Sequence, residues 1–194
     1  MSGRAGCVPN ALAVLLTPGA SATKDHPSLV VIDGELEAAG VPVARIDLPS
    51  SRPGPKVLQA IADGAGVLAT RAGVAPAEIV LGGRSFGGRM CSLAAADGLP
   101  ALGLALLSYP LHPPGRPEQL RTEHFPRLSM PCLFVSGTHD AFGTPAELEA
   151  ASAAIPGPVT HVWIEGGDHG MGRHNRGVAL AVRDWVLALA GPRD

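Results

Sequence analysis

The sequence predicts an α/β fold, with a mainly parallel sheet of about six strands and helices on both faces. Short apolar runs recur along the whole chain, and strands buried on both faces of a parallel sheet have this continuous apolar pattern. Stretches with apolar residues at spacings of three and four separate most of these runs, as amphipathic helices require. Alternation of this kind joins parallel strands by right-handed crossovers.

Six apolar runs are short enough to be strands, and Gly or Pro residues lie in the turns around them. In chain order they are Ala11–Leu16, Val41–Ile46, Ile79–Leu81, Leu102–Leu107, Leu133–Val135 and Val159–Ile164. The segment Ser108–Met130 breaks the alternation, because its repeated prolines exclude a regular element. A connection of this length in a compact domain is usually functional or mobile.

The helices are predicted from apolar spacing together with start and stop signals. Thr144, Pro145 and Glu147 have the capping-box spacing with proline at the first helical position, so a helix is expected to begin there. Glycine or proline marks the ends of other helices. The remaining predicted helices are one containing Leu29, Ile32 and Leu36 that stops at Gly40, one containing Val57, Ile61 and Leu68 that is weakened by Gly64 and Gly66, Phe86–Ala96, and one containing Val178, Val182, Trp185 and Leu189 that stops at Gly191-Pro192.

The composition is that of one globular domain, residues 1–194. With 46% hydrophobic and 16% charged residues, the composition excludes an intrinsically disordered protein, because disorder requires low hydrophobicity and a high net charge. A net charge of −2 gives no sign of a basic face for nucleic acid or an anionic membrane. Cys7, Cys91 and Cys132 form no CxxC pair, so we expect buried thiols in a reducing cytosol rather than disulfides or a zinc site.

The N-terminal residues resemble a secretory signal only in part. The apolar run Ala11–Leu16 is shorter than the ~7–15-residue hydrophobic region of such signals, and Pro18-Gly19 prevents its extension towards the C-terminus. No stretch approaches the ~18–20 apolar residues of a transmembrane helix. We therefore expect a soluble cytoplasmic protein with no membrane partner.

The sequence predicts no cofactor. It contains no G-x-G-x-x-G dinucleotide fingerprint, and Arg89-Met90 stands where a phosphate-binding P-loop has Lys followed by Ser or Thr. Asp168, His169 and His174 have no spacing typical of a metal site, so no metal is expected.

The segment Gly83-Arg84-Ser85-Phe86-Gly87 matches the nucleophile elbow G-x-S-x-G. This chemistry needs a serine at a sharp strand-to-helix turn, and glycines on either side let the strand and helix approach closely. The context fits, because a predicted strand comes immediately before the segment and a predicted helix comes directly after it. An ordinary glycine-rich turn is the alternative interpretation.

A carboxylate and a histidine follow the serine in chain order, each after a predicted strand. Asp140 follows Leu133–Val135, and His169 follows Val159–Ile164, so both are expected at the same sheet edge as Ser85. The imidazole would accept the serine proton, and the carboxylate would hold the imidazole tautomer. Asp168 is the alternative acid. Ordinary surface or loop positions are expected for His139, His161 and His174.

The tetrahedral intermediate of acyl transfer also needs N–H donors for its oxyanion. The amide of Phe86, at the start of the predicted helix, is one candidate. The second is expected from the loop after the first strand, through the amide of Ala20 or Ser21, since Pro18 has no N–H.

These motifs resemble the α/β-hydrolase superfamily, and more narrowly a compact group related to dienelactone hydrolases that includes a vertebrate testis-expressed protein and a subunit of the nonspecific-lethal chromatin complex. The resemblance covers about Ala11 to Trp185. It implies a triad at Ser85, Asp140 and His169. The resemblance rests on four segments: Gly82-Gly83-Arg84-Ser85-Phe86-Gly87-Gly88-Arg89, Tyr109-Pro110-Leu111-His112-Pro113-Pro114-Gly115, Gly137-Thr138-His139-Asp140 and Gly167-Asp168-His169.

The resemblance also implies an architecture. It predicts the strand order 2-1-3-4-5-6, without the first two strands of the full fold and without a lid domain. Two positions depart from the relatives: Pro18-Gly19 replaces the usual His-Gly after the first strand, and Ser85 replaces the cysteine of true dienelactone hydrolases, which argues against that particular activity.

We predict a serine hydrolase, resembling carboxylesterases and thioesterases, that cleaves a small-molecule acyl ester through an acyl-enzyme. The alternative is a non-catalytic binding or scaffold protein with a vestigial triad, since some relatives act in protein complexes. Without a lid, and with an aromatic content of 4%, the pocket is expected to be shallow and partly roofed by Ser108–Met130.

Arg84, Tyr109 and His112 are the candidate substrate-binding residues. A positive pocket rim would favour an acyl group that bears a carboxylate or phosphate. The alternative is that the arginines are solvated or pair with Glu118 and Glu123. The residues expected to make such a rim are Arg84, His112, Arg116, Arg121 and His124.

Overall fold

The computed structural model describes residues 12–191, and its centre is a six-stranded sheet. The strands are β1 (Ala13–Thr17), β2 (Val43–Arg45), β3 (Ile79–Arg84), β4 (Gly103–Leu107), β5 (Cys132–Gly137) and β6 (Val159–Ile164). Every neighbouring pair is parallel, and the spatial order is β2-β1-β3-β4-β5-β6. The predicted parallel sheet and its strand order are confirmed.

Five helices cover the two faces of this sheet in the described part of the chain. They are α1 (Pro27–Ala38), α2 (Pro55–Ala72), α3 (Phe86–Ala96), α4 (Pro145–Ser152) and α5 (Asn175–Leu189). The buried residues of α1 and α5 share one core cluster, and those of α2, α3 and α4 share the other. Across residues 12–191, no helix has both the length and the apolar character needed to cross a bilayer, and no lid domain is inserted between the strands.

Alternate residues of each central strand supply the two core clusters. On β1, Leu15 belongs with Ile61 of α2, whereas Leu16 belongs with Ile32 of α1, and all four side chains are fully buried. Full burial of such a side chain stabilises the fold by roughly 1.5–3 kcal/mol. The continuous apolar runs of the sequence therefore reflect burial on both faces.

Strand β3 extends beyond the prediction, which ended it at Leu81. Gly82 and Gly83 continue the strand because they pair with Leu16 and Thr17 of β1 on one side and with β4 on the other. At the sheet edge, β2 is shorter than predicted and starts at Val43. Three expected features lie outside the described residues: the start of the first strand at Ala11, the thiol of Cys7, and Pro192 after the last helix.

The two described cysteines, Cys91 and Cys132, are free and buried, as expected. Burial raises the pKa of both thiols to about 12, so neither is ionised near neutral pH.

The connection between β4 and β5 contains only a 3₁₀ turn, Phe125–Arg127, as its prolines predict. It is nonetheless packed against the sheet. The ring of Tyr109 lies 5.4 Å from that of Phe125 and 5.8 Å from that of Phe134 on β5, measured between centroids. These side chains belong to the core cluster of α2 and α3, so this segment covers sheet area that a crossover helix would otherwise cover.

A buried histidine fastens this connection to α3. His124 is 2% exposed, and its Nε2 lies 2.7 Å from the hydroxyl of Ser92, which in turn donates to the carbonyl of Arg89. Burial, and secondarily the nearby Arg89 guanidinium, lower the pKa of His124 to about 4. The folded protein therefore keeps this imidazole neutral at mildly acidic pH.

We expect acidification to weaken the fold through His124. The unfolded imidazole takes up a proton near pH 6.5, whereas the folded one resists protonation until about pH 4. Stability is therefore fully present above pH 6.5 and falls as the pH is lowered towards 4. Urea unfolding at several pH values should show a smaller loss of unfolding free energy on acidification for His124→Gln than for the wild type. Equal losses in both proteins would contradict this assignment.

Candidate active site

Ser85 forms the sharp turn between β3 and α3. Its φ of 50° and ψ of −115° lie in a region that non-glycine residues rarely adopt, and this turn directs the side chain out at the carboxyl edge of the sheet. The amide of Ser85 donates a 2.7 Å hydrogen bond to the carbonyl of Leu107 at the end of β4. The strained residue is thus anchored to the neighbouring strand.

Two glycines make the turn possible because no side chain fits at their positions. A Cβ on Gly83 would collide with the hydroxyl of Thr17, and one on Gly87 would collide with the carbonyl of Pro18 and that same hydroxyl. Thr17 itself is fully buried, and its hydroxyl donates to the carbonyl of Gly82. The end of β1 therefore packs directly into the β3–α3 turn.

Alanine at Gly87 is expected to lower the free energy of unfolding by about 1–3 kcal/mol, because the colliding carbonyl of Pro18 belongs to the backbone. Gly66→Ala is the matched control: Gly66 also lies within a helix, α2, but a Cβ there meets nothing within 4 Å. That substitution should raise stability by about 0.5–1 kcal/mol. Urea denaturation measures both, and equal effects at the two sites would refute the steric argument.

The three predicted triad residues form one continuous chain of hydrogen bonds. The Ser85 Oγ lies 2.9 Å from Nε2 of His169. Nδ1 of the same ring lies 3.0 and 2.9 Å from the two carboxylate oxygens of Asp140. A carboxylate only accepts, so Nδ1 carries the proton and donates it, which leaves Nε2 free to accept from the serine hydroxyl. The Asp140 side chain is 1% exposed and that of His169 is 21% exposed.

Backbone hydrogen bonds join the loop after β5, which carries Asp140, to the loop after β6, which carries His169. The amide of His139 donates to the carbonyl of Gly167 at 2.8 Å, and the amide of Thr138 donates to that of Ile164 at 3.0 Å. From the serine side, Nη2 of Arg84 donates to the carbonyl of His169 at 2.7 Å. Hydrogen bonds between adjacent loops, two of them between backbone groups and one from the Arg84 side chain, therefore hold Ser85, Asp140 and His169 in position.

The family comparison agrees with this geometry. A family model described as the alpha/beta hydrolase domain matches residues 10–180, nearly the whole chain. This chain belongs to the alpha/beta hydrolase family.

Solved structures share the fold of this alpha/beta hydrolase domain over most of their length. Est1E from Butyrivibrio proteoclasticus is 18% identical with a TM-score of 0.78, covering 96% of this chain and 91% of that one. A thermophilic esterase from Thermogutta terrifontis is 22% identical with a TM-score of 0.70, covering 92% and 90%. A dienelactone hydrolase from Anabaena variabilis is 17% identical with a TM-score of 0.72, covering 92% and 87%. The likeness to the testis-expressed and chromatin-complex proteins stays a prediction.

Asp168, the alternative acid of this hydrolase domain, has a different set of contacts. Its carboxylate is exposed and accepts from the amides of Gly170 and Met171, each at 2.9 Å. These two hydrogen bonds lower the pKa of Asp168. The side chain therefore shapes the turn that carries His169, whereas the ring of His169 is held by Asp140.

Phe142 is a neighbour of the triad that the sequence analysis missed. Its ring stacks on the imidazole of His169, with centroids 4.0 Å apart and planes at 27°, and its amide donates to Asp140 at 2.9 Å. Its position two residues after the predicted acid was the only available signal. The ring limits the movement of the imidazole and shields one of its faces from water.

A cavity of about 420 Å³ opens over Ser85 in this hydrolase domain. Ala20 lines it, whereas Ser21 lines a smaller recess beside it. Phe86 also lines the cavity, and its amide, at the first position of α3, has no acceptor within its own helix. The lining residues are Ala20, Ser51, Pro53, Arg84, Ser85, Phe86, Arg89, Pro110, Arg121, Phe142 and His169.

The predicted substrate-binding residues separate into two groups. Arg84 lines the cavity, but Tyr109 and His112 do not. Tyr109 is 2% exposed within the aromatic cluster, and its hydroxyl donates to the carbonyl of Arg121. His112 is 5% exposed and turns Nδ1 towards the carbonyl of Pro113. Both side chains are therefore buried away from the cavity, although Tyr109 contacts the backbone of the lining residue Arg121.

Of the residues expected to form a positive rim, Arg84 and Arg121 line the cavity, whereas His112, Arg116 and His124 do not. Of the β4–β5 connection, Arg121 and Pro110 reach the cavity, so the connection lines it as predicted. Arg116 is exposed outside the lining, and His124 is buried against Ser92. Arg89 does line the cavity, and the sequence analysis did not include it. The spacing of four residues, about one helical turn, between Ser85 and Arg89 could have indicated that both side chains lie on the same side of α3.

Proposed function

We propose that this chain is a serine hydrolase that cleaves a small carboxylic ester or thioester through an acyl-enzyme. The observation that carries the proposal is the unbroken Ser85–His169–Asp140 chain of hydrogen bonds at the floor of an open cavity. A serine, a base within hydrogen-bond reach and a group that orients the base are the requirements for nucleophilic acyl transfer.

In the first half-reaction, Oγ of Ser85 attacks the ester carbonyl carbon while Nε2 of His169 takes the hydroxyl proton. The carbonyl oxygen becomes an oxyanion, which we assign to the amides of Phe86 and Ala20. The intermediate collapses when the bond to the leaving oxygen or sulfur breaks, and His169 returns its proton to that atom. The products are an acyl ester on Ser85 and a free alcohol or thiol.

Water completes the cycle. Nε2 of His169 takes a proton from a water molecule, whose oxygen attacks the acyl carbon. Collapse of the second intermediate returns that proton to Oγ of Ser85 and releases the carboxylic acid. Throughout, the carboxylate of Asp140 stabilises the imidazolium and keeps the ring in the required tautomer. A cavity of about 420 Å³ is near the lower end of the ~300–1,000 Å³ range of ligand pockets, which favours a small acyl group.

The exposed apolar side chains of residues 12–191 give no support to a scaffold role. The large ones, Val30, Val67 and Leu120, lie on α1, α2 and the β4–β5 connection. Because α1 and α2 cover opposite faces of the sheet, Val30 and Val67 do not belong to one contiguous apolar patch.

Two measurements on the folded wild-type protein test the proposal. A fluorophosphonate probe should label the chain at Ser85, and p-nitrophenyl esters of increasing acyl length should be hydrolysed with the shorter chains preferred. Absence of both labelling and hydrolysis in a sample shown to be folded would reject the hydrolase and leave the binding role.

A further inference from the structure

The cavity over Ser85 concentrates positive charge. Three of its lining residues are arginines, Arg84, Arg89 and Arg121, and no aspartate or glutamate is among the lining residues that the structure describes. For a chain with a net charge of −2, this is a local excess that its overall composition does not explain. A concave site lined by one sign of charge attracts ligands of the opposite sign.

Among the described residues, none of these arginines forms an ion pair with a carboxylate, although Arg84 lies near enough to Asp140 and Asp168 to interact with their charges. Within residues 12–191, the arginines in ion pairs are Arg45, Arg127 and Arg183. The Nε of Arg89 is buried and has no hydrogen-bond partner in this part of the chain. A buried donor left unsatisfied is costly, and a charged one more so, unless a ligand completes its hydrogen bonds.

The backbone of Arg121 is anchored by two hydrogen bonds, and its guanidinium is close enough to that of Arg89 for their charges to interact. The amide of Arg121 donates to the carbonyl of Leu111 at 2.9 Å, and its own carbonyl accepts from the buried Tyr109 hydroxyl at 2.7 Å. Nη1 has a single long contact, 3.3 Å to the carbonyl of Pro110, so most of the guanidinium is free of partners within residues 12–191. Burial, together with the charge of Arg89, lowers the pKa of Arg121, as expected for neighbouring cations that lack an anion.

Arg89 lines the cavity from the helix that begins just after Ser85. Its amide donates to the carbonyl of Ser85 at 3.1 Å, so it lies one helical turn from the serine. Arg84 differs from these two residues, because its Nη2 is already committed to the carbonyl of His169.

We infer that Arg89 and Arg121 form an anion-binding subsite, and that the ester cleaved here carries a carboxylate or phosphate group. This inference rests on the proposed function for its substrate. Guanidinium groups bind the oxygens of both anions through paired N–H donors, so the two arginines would hold the anionic end of the substrate while its carbonyl lies over Ser85.

A pair of esters matched in length tests the subsite. Mono-p-nitrophenyl succinate carries a free carboxylate, and p-nitrophenyl 4-oxopentanoate, in which a methyl group replaces the ionised oxygen, is its neutral counterpart. We expect wild-type kcat/KM to favour the anionic ester by about tenfold or more, and the anionic-to-neutral ratio to fall about 10- to 100-fold in Arg89→Gln and in Arg121→Gln. Arg116→Gln, at an exposed arginine outside the cavity, should keep the wild-type ratio.

Two further variants and a binding measurement separate the possible outcomes. Arg89→Lys keeps the charge but loses the planar fork, so its ratio should be intermediate, and the melting temperature of each variant shows whether it folds. Calorimetric binding of monomethyl succinate and of methyl phosphate to Ser85→Ala protein, which does not depend on turnover, distinguishes carboxylate from phosphate. Binding that is lost when Arg89→Gln or Arg121→Gln is added supports the subsite even if no ester is cleaved. An unchanged ratio in both arginine variants, a wild-type preference for the neutral ester, or no binding of either anion overturns it.

Discussion

Ser85→Ala is expected to reduce ester turnover by about 10⁴- to 10⁶-fold, while the protein keeps its fold. Members of a catalytic triad act as a unit, so loss of the nucleophile removes nearly all of their joint contribution, and only binding and the oxyanion donors remain. The measurement is kcat for a p-nitrophenyl ester, with fluorophosphonate labelling as a second readout that should be absent.

A second serine provides a matched control for this substitution. Ser108 follows the neighbouring strand β4 and also has a positive φ, 45° against 50° for Ser85. It is fully buried, however, and its hydroxyl has no hydrogen-bond partner among residues 12–191. Ser108→Ala should therefore change kcat only within a few-fold. The nucleophile assignment fails if Ser85→Ala retains more than about one hundredth of wild-type activity, since loss of a triad nucleophile costs far more than this.

Asp140→Asn is expected to lower kcat by about 10⁴-fold. The carboxylate contacts Nδ1 of His169 through both oxygens and is almost completely buried. An amide at this position presents an NH₂ donor to the ring, which favours the tautomer with its proton on Nε2. That tautomer cannot accept the proton of Ser85, and the imidazolium loses its stabilising charge.

Asp168→Asn is the control that tests the competing acid. Its carboxylate receives two amide hydrogen bonds from its own turn and is exposed, so we expect a loss of at most about tenfold through looser positioning of the histidine loop. Both variants are measured with the same ester at the same pH. A larger loss for Asp168→Asn than for Asp140→Asn would reverse the assignment of the acid.

Much of this fold could be predicted because its local and global signals agree. The apolar runs indicate strands buried on both faces, and right-handed parallel crossovers then bring their carboxyl ends to one edge. The chain order of Ser85, Asp140 and His169, each directly after a strand, was enough to predict that they meet. The strand β3 was predicted too short because glycine is a turn signal locally, whereas here Gly82 and Gly83 leave room for neighbouring backbone and side chains.

The cavity wall was harder to predict than the triad. Tyr109 and His112 belong to a distinctive segment, yet both side chains are buried and neither lines the cavity. This could not be predicted, because the β4–β5 connection has no regular period that would indicate which of its side chains face the core. Phe142 and Arg89 reach the site through a loop turn and a helical turn whose directions depend on neighbouring elements.

The amino-acid sequence alone thus determined the layered architecture, the strand-to-helix turn at Ser85 and the three residues that meet there, because periodicity and chain order carry that information. Only the tertiary structure decided which charged side chains face the reacting serine. Arg89 and Arg121 come together from a helix and an irregular connection, and the absence of a carboxylate beside them within residues 12–191 follows from packing that no local pattern encodes.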